Sequence, residues 1–83
     1  MYLHLGEDVV VRLSEVVGIF DLESTSTSGI TRGFLKNAQK SGQIVNVSYE
    51  LPRSYIVCVH KKETRVYISQ ISPATLKKRA INN

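Results

Sequence analysis

The sequence predicts a single α+β domain: a mostly antiparallel sheet of five to six short strands, covered by one main helix, with a short C-terminal helix. Three observations predict it. Short apolar runs with period-two alternation recur along the chain, which is the spacing of strands. One stretch alone, Ser28 to Gly42, carries apolar residues at long helical spacing. The 83 residues make one domain with a thin core, so these elements must share it.

Tyr2–Leu5 alternates, Gly6-Glu7-Asp8 is turn chemistry, and Val9–Arg12 resumes an extended run. Leu13-Ser14-Glu15 is a brief connection. Val16–Leu22 is the longest apolar run of the N-terminal half and is expected to be a central strand, with Gly18 marking a bulge or a close backbone approach. Glu23–Thr27 is a polar linker.

In the helix, Ser28 is the expected N-cap and Gly42 the residue that closes it in a left-handed conformation. Ile30, Phe34, Leu35 and Ala38 should share the face that covers the sheet. Arg32, Lys36 and Lys40 form a strip of cations on the other side, although like charges four residues apart repel.

Gln43–Tyr49 alternates again, and Glu50-Leu51-Pro52-Arg53 turns the chain because Pro52 fixes φ and offers no donor. Ser54–His60 and Arg65–Ile71 read as an antiparallel hairpin joined by a longer loop, Lys61–Thr64. Ser72 then caps a short helix with Pro73 at its first position, and Lys77-Lys78-Arg79 suit the negative pole at its end.

Charge is divided unevenly. Residues 1–27 carry one basic residue against five acidic ones, whereas residues 28–83 carry ten against two, within a net charge of +4. An anionic partner for the second part, or acid-to-base contacts between copies, follows from such a split. One amphipathic helix covers one face of a sheet, yet the strands are apolar on both faces. A homo-oligomer is therefore expected.

Catalysis finds little support. His4 and His60 lack a ligand pattern, Cys58 lies in a β-branched strand, and the five glycines form no phosphate-binding fingerprint. No enzyme activity, cofactor, metal or small-molecule substrate is expected. The opening MYLHLG lacks a basic-then-apolar leader and no run approaches the ~20 apolar residues of a membrane span, so no membrane partner is expected, and the single cysteine, Cys58, which can form no internal disulfide, suits a reducing cytosol. The basic residues remain. Arg53 sits in one loop, Lys61 and Lys62 in another, Arg32 and Lys36 on the helix, and Arg12 at the end of an early strand. Arginine clamps phosphate through two parallel hydrogen bonds and lysine acts as a point charge. The tyrosines are too scattered for a stacking platform, which favours duplex DNA over single strands.

The segments YLHLGEDVVV, ITRGFLKNAQKSGQIVNVSY, SYIVCV and VYISQISPATLKKR together resemble the RemA-type family of bacterial extracellular-matrix (biofilm) regulators, and within it the RemB-like branch. The resemblance covers nearly the whole chain. It implies a cytoplasmic, non-enzymatic, DNA-binding regulator that assembles into closed rings or higher oligomers, along whose arginine-lined surface DNA wraps. In the RemA-like branch the loop after the strand ending in Tyr carries adjacent arginines for DNA. Here that loop is Glu50-Leu51-Pro52-Arg53, so the role carries over onto Arg53 alone. The rival reading is a homo-oligomeric scaffold or protein-interaction module without direct DNA binding.

Overall fold

The computed structural model describes residues 1–22 and 29–81, in which six strands form two sheets rather than one. Strands β1 (Tyr2–Gly6) and β2 (Val9–Arg12) pair as an antiparallel hairpin. A 3-10 turn (Leu13–Glu15) leads to β3 (Val16–Asp21). Then follow α1 (Gly29–Lys40), β4 (Ile44–Asn46), β5 (Ser54–His60), β6 (Glu63–Ser69) and α2 (Pro73–Ile81). The second sheet has the order β3-β5-β6-β4. The expected N-cap Ser28 and the Glu23–Thr27 linker lie outside the described residues.

The single covered sheet is thus corrected in two ways. The first two strands pair only with each other, and the Leu13–Glu15 turn after them leads into the separate larger sheet. Leu3, Leu5 and Val11 of the hairpin and Leu76 of α2 pack with Ile56 and Cys58 of β5 in one buried cluster. Two serines fasten this layer: Ser69 Oγ donates to the Leu5 carbonyl at 2.6 Å, and Ser54 Oγ to the Ile71 carbonyl at 2.8 Å. One face of the sheet is therefore covered within the chain by the hairpin and α2, and the other is covered in part by α1. The argument for a homo-oligomer from a wholly bare face no longer holds.

The second correction concerns β3 and β4. The expected central strand β3 is an edge strand, bonded to β5 alone. Strand β4 runs parallel to β6, with Ile44, Val45 and Asn46 opposite Val66, Tyr67 and Ile68. A helical crossover returns the chain in the direction it left, so β4 runs parallel to β3 with β5 and β6 between them. The register of β3 on β5 slips between Val16 and Gly18, which is the bulge expected at that glycine.

Helix α1 ends as its sequence dictates: Gly42 takes φ +70°, and the Gln43 N–H donates to the Ala38 carbonyl at 2.9 Å. Its buried stripe differs from the expected one. Thr31 and Ala38 are buried and Leu35 half-buried, whereas Phe34 is 39% and Ile30 87% exposed. The helix packs on β4 and, through Ala38, on Tyr55 and Val66 of the two middle strands. That rotates 31, 35 and 38 inward and leaves 30 and 34 at its flank.

The β5–β6 turn is also tighter than expected. It consists of Lys61 and Lys62 alone, both at positive φ (48° and 68°), between the paired residues His60 and Glu63. This is the two-residue geometry that matches strand twist, here built without the usual asparagine and glycine. Helix α2 begins as expected, with the Thr75 N–H reaching Ser72 Oγ at 3.3 Å.

Candidate nucleic-acid interface

The seven-residue β5 fixes the distance between two basic regions. At about 3.3 Å per residue it spans ~20 Å, with Arg53 before its first residue and Lys61 after its last. Arg53 is held by its backbone: its N–H donates to the Ser69 carbonyl at 2.8 Å and its carbonyl accepts from Leu22 N–H at 3.1 Å. The preceding residues stand out in solvent, with Leu51 81% exposed and Tyr49 fully so.

Leu22 is also the link to the helix cations. It lines a cleft of about 390 Å³ with Arg32, Leu35, Lys36, Gln39, Ile44, Asn46 and Ile68. Of the expected contacts, Arg32 and Lys36 share this cleft, and the Arg53 backbone is bonded to Leu22 in its wall. The other three are not with them. Arg12 lines a second pocket of about 300 Å³ with Glu15, Cys58, His60, Glu63, Arg65 and Tyr67, and Lys61 and Lys62 form the turn beside it. Arg12, Arg32, Lys36, Lys61 and Lys62 form no ion pair among the described residues, so their charge is available to an anion.

The Arg12 end is the more mixed. His60 Nδ1 contacts Glu15 Oε2, and Arg65 lies 3.8 Å from Glu63. At the floor, burial and then the nearby Glu15 carboxylate push the Cys58 thiol up to about 11. Burial, followed by Cys58, raises the Tyr67 phenol. A thiol held protonated is a poor nucleophile, as expected of a cysteine packed as a small hydrophobe.

Three polar residues were not singled out by the sequence. Arg65 faces Cys58 across the β5–β6 ladder, and its position follows once the turn is set at Lys61-Lys62. Gln39 and Asn46 come together at the α1–β4 cleft because β4 is parallel and lies under the helix. Gln39 is legible as the next step, i+7, of the Arg32–Lys36 strip; Asn46 carried no signal.

A third concavity is apolar throughout. Val17, Phe20, Ile30, Phe34, Tyr55 and Val57 line a groove of about 310 Å³ on the flank of α1 opposite the cations. It exists because α1 lies over β4 and leaves β3 and the near side of β5 uncovered. Among the described residues no three His, Cys, Asp or Glu side chains gather as a metal site, and no helix is long and apolar enough to cross a membrane.

Comparison with known proteins gives a consistent result. A family described as "Extracellular matrix regulatory protein A-like" matches residues 2–80. "Extracellular matrix regulatory protein B" of Bacillus subtilis (strain 168) is 42% identical over 80 residues, covering 96% of this chain and 90% of its own. The resemblance seen in the opening strand, the helix and the final segments thus extends over the whole domain, and the chain belongs to the RemA-like family of extracellular matrix regulatory proteins.

Proposed function

We propose that the chain is a homo-oligomeric, cytoplasmic regulator of matrix gene expression that binds duplex DNA largely through phosphates. The observation that carries this reading is the cleft shared by Arg32 and Lys36, with the Arg53 backbone bonded to its wall at Leu22, beside a separate apolar groove on the flank of α1. Copies joined through apolar surface repeat the basic end along a line or ring, so contacts that are weak singly act together. Membership in a matrix-regulator family supports the regulatory role. No step of catalysis enters it.

The scaffold reading keeps one observation on its side. The loop carries Glu50 and the exposed apolar residues Tyr49 and Leu51 next to a single arginine. The two separate in one experiment: native mass spectrometry of the protein alone, and fluorescence anisotropy on a long duplex over a salt series. An oligomer whose DNA affinity falls steeply with salt supports the regulator. An oligomer with no binding at low salt leaves the scaffold, and a monomer removes both.

A further inference from the structure

We propose that the cleft between α1 and β4 is a binding site for an adenine nucleotide, which takes the same Arg32 and Lys36 that the duplex reading uses. Arg32, Lys36 and Gln39 lie at i, i+4 and i+7, so one stripe of α1 presents two cations and then an amide. Asn46 faces them from β4. The floor between is aliphatic, formed by Ile44 and Ile68 with Leu35 beside them.

The mixture decides the ligand class. Among the described residues no carboxylate lines the cleft and neither cation is paired. An inorganic anion would satisfy Arg32 and Lys36 but leave the aliphatic floor in water. A purely apolar ligand would cover the floor and leave two like charges four residues apart with nothing to offset their repulsion. A nucleotide has both parts. Its base covers Ile44, Ile68 and Leu35, and its phosphates reach Arg32, as a bidentate clamp, and Lys36, as a point charge.

The amides choose the base. Asn and Gln side chains offer a donor and an acceptor side by side, the complement of adenine N6 and N7. A cleft of about 390 Å³ is within the range of small-ligand sites, and its lining divides evenly between four aliphatic and four polar side chains. The same chemistry is offered by a free nucleotide and by an unpaired adenine in a single strand, which the test separates.

The test is isothermal titration calorimetry of the full chain with ADP, adenosine, pyrophosphate, GDP and a short oligo(dA), at moderate salt. ADP is expected to bind roughly tenfold or more tighter than adenosine or pyrophosphate, since base and phosphate each add contacts. Arg32→Ala should weaken ADP by about tenfold, the scale of a lost hydrogen bond to a charged group. Asn46→Ala should reduce the preference for ADP over GDP, and Lys77→Ala should change neither. Oligo(dA) binding that Arg32→Ala and Asn46→Ala weaken, with no ADP binding, overturns the free ligand and assigns the cleft to a strand. Pyrophosphate binding as well as ADP, or ADP binding indifferent to Arg32→Ala and Asn46→Ala, overturns the site. Because all the altered side chains are exposed, circular dichroism should show each variant folded.

Discussion

Phe20 of β3 stacks on Tyr55 of β5, ring centroids 4.9 Å apart and planes 18° from parallel, and the two residues are direct partners in the antiparallel register. Phe34 of α1 tilts against the same tyrosine at 6.1 Å. Tyr55 is therefore the meeting point of the edge strand, the central strand and the helix, and it is buried while both phenylalanines are 39% exposed.

The first prediction follows from that asymmetry. Tyr55→Ala should cost about 3–5 kcal/mol, the range for a large buried aromatic. Phe34→Ala, with much of its ring already in water, should cost only about 1–2 kcal/mol. Lys36→Ala should fall within ~0.5 kcal/mol of wild type. Urea denaturation of the three variants checks the order, and a Phe34→Ala loss equal to that of Tyr55→Ala would contradict the exposure of the groove.

Gly18 provides a second. A Cβ built there would stand 2.6 Å from two carbons of the Phe20 ring, so the ring must shift in its stack on Tyr55. Gly18→Ala should destabilise by roughly 1–3 kcal/mol, as overpacking does. In a Phe20→Ala background the same change should cost clearly less. A double-mutant cycle with no coupling would show that the glycine serves the bulge alone.

Cys58 gives a pH dependence with a defined sign. An ordinary thiol titrates near 9.0, whereas burial and Glu15 raise this one to about 11. Below pH 9 both states hold the proton, so the stabilisation is fully present. Between about 9 and 11 the unfolded chain releases a proton that the folded chain keeps, and stability falls as pH rises. Two units correspond to at most roughly 3 kcal/mol. Cys58→Ala should flatten the decline of melting temperature across that window. The raised Tyr67 phenol leaves a residual slope in both proteins.

The sequence carried the elements better than their arrangement. Gly18, Gly42 and Ser72 act as local rules require, because a bulge, a left-handed closure and a cap depend on few neighbours. The placing of β3 at the edge depended on which strands α1 connects, a long-range fact that alternation does not encode. The inward turn of Thr31 in place of Phe34 came from where α1 lies on the sheet. A helix with apolar residues at 30, 34, 35 and 38 presents a wide stripe, and packing chose one margin of it. The basic residues were legible one by one; their division between two ends of β5 was not. It became visible only when the backbone bonds of Arg53 joined its loop to Leu22.

That division allows the duplex reading to be tested end by end. Each phosphate neutralised changes the slope of log K against log salt by about 0.9. Arg53→Ala removes one cation per copy from the Arg32–Lys36 end, and Arg53 is exposed, so the fold should survive the change. At the opposite end, Lys61→Asn with Lys62→Gly removes two charges while supplying the residues that a turn at positive φ prefers. That pair should stabilise the protein by about 1 kcal/mol. If DNA lies along the Arg53 end, Arg53→Ala lowers affinity and slope for many duplexes alike, and the turn variant leaves both unchanged. If DNA runs the ~20 Å length of β5, both variants lower the slope, the turn variant by the larger amount. Anisotropy at several salt concentrations distinguishes these outcomes, and a loss confined to the turn variant would move the interface to the Arg12 end.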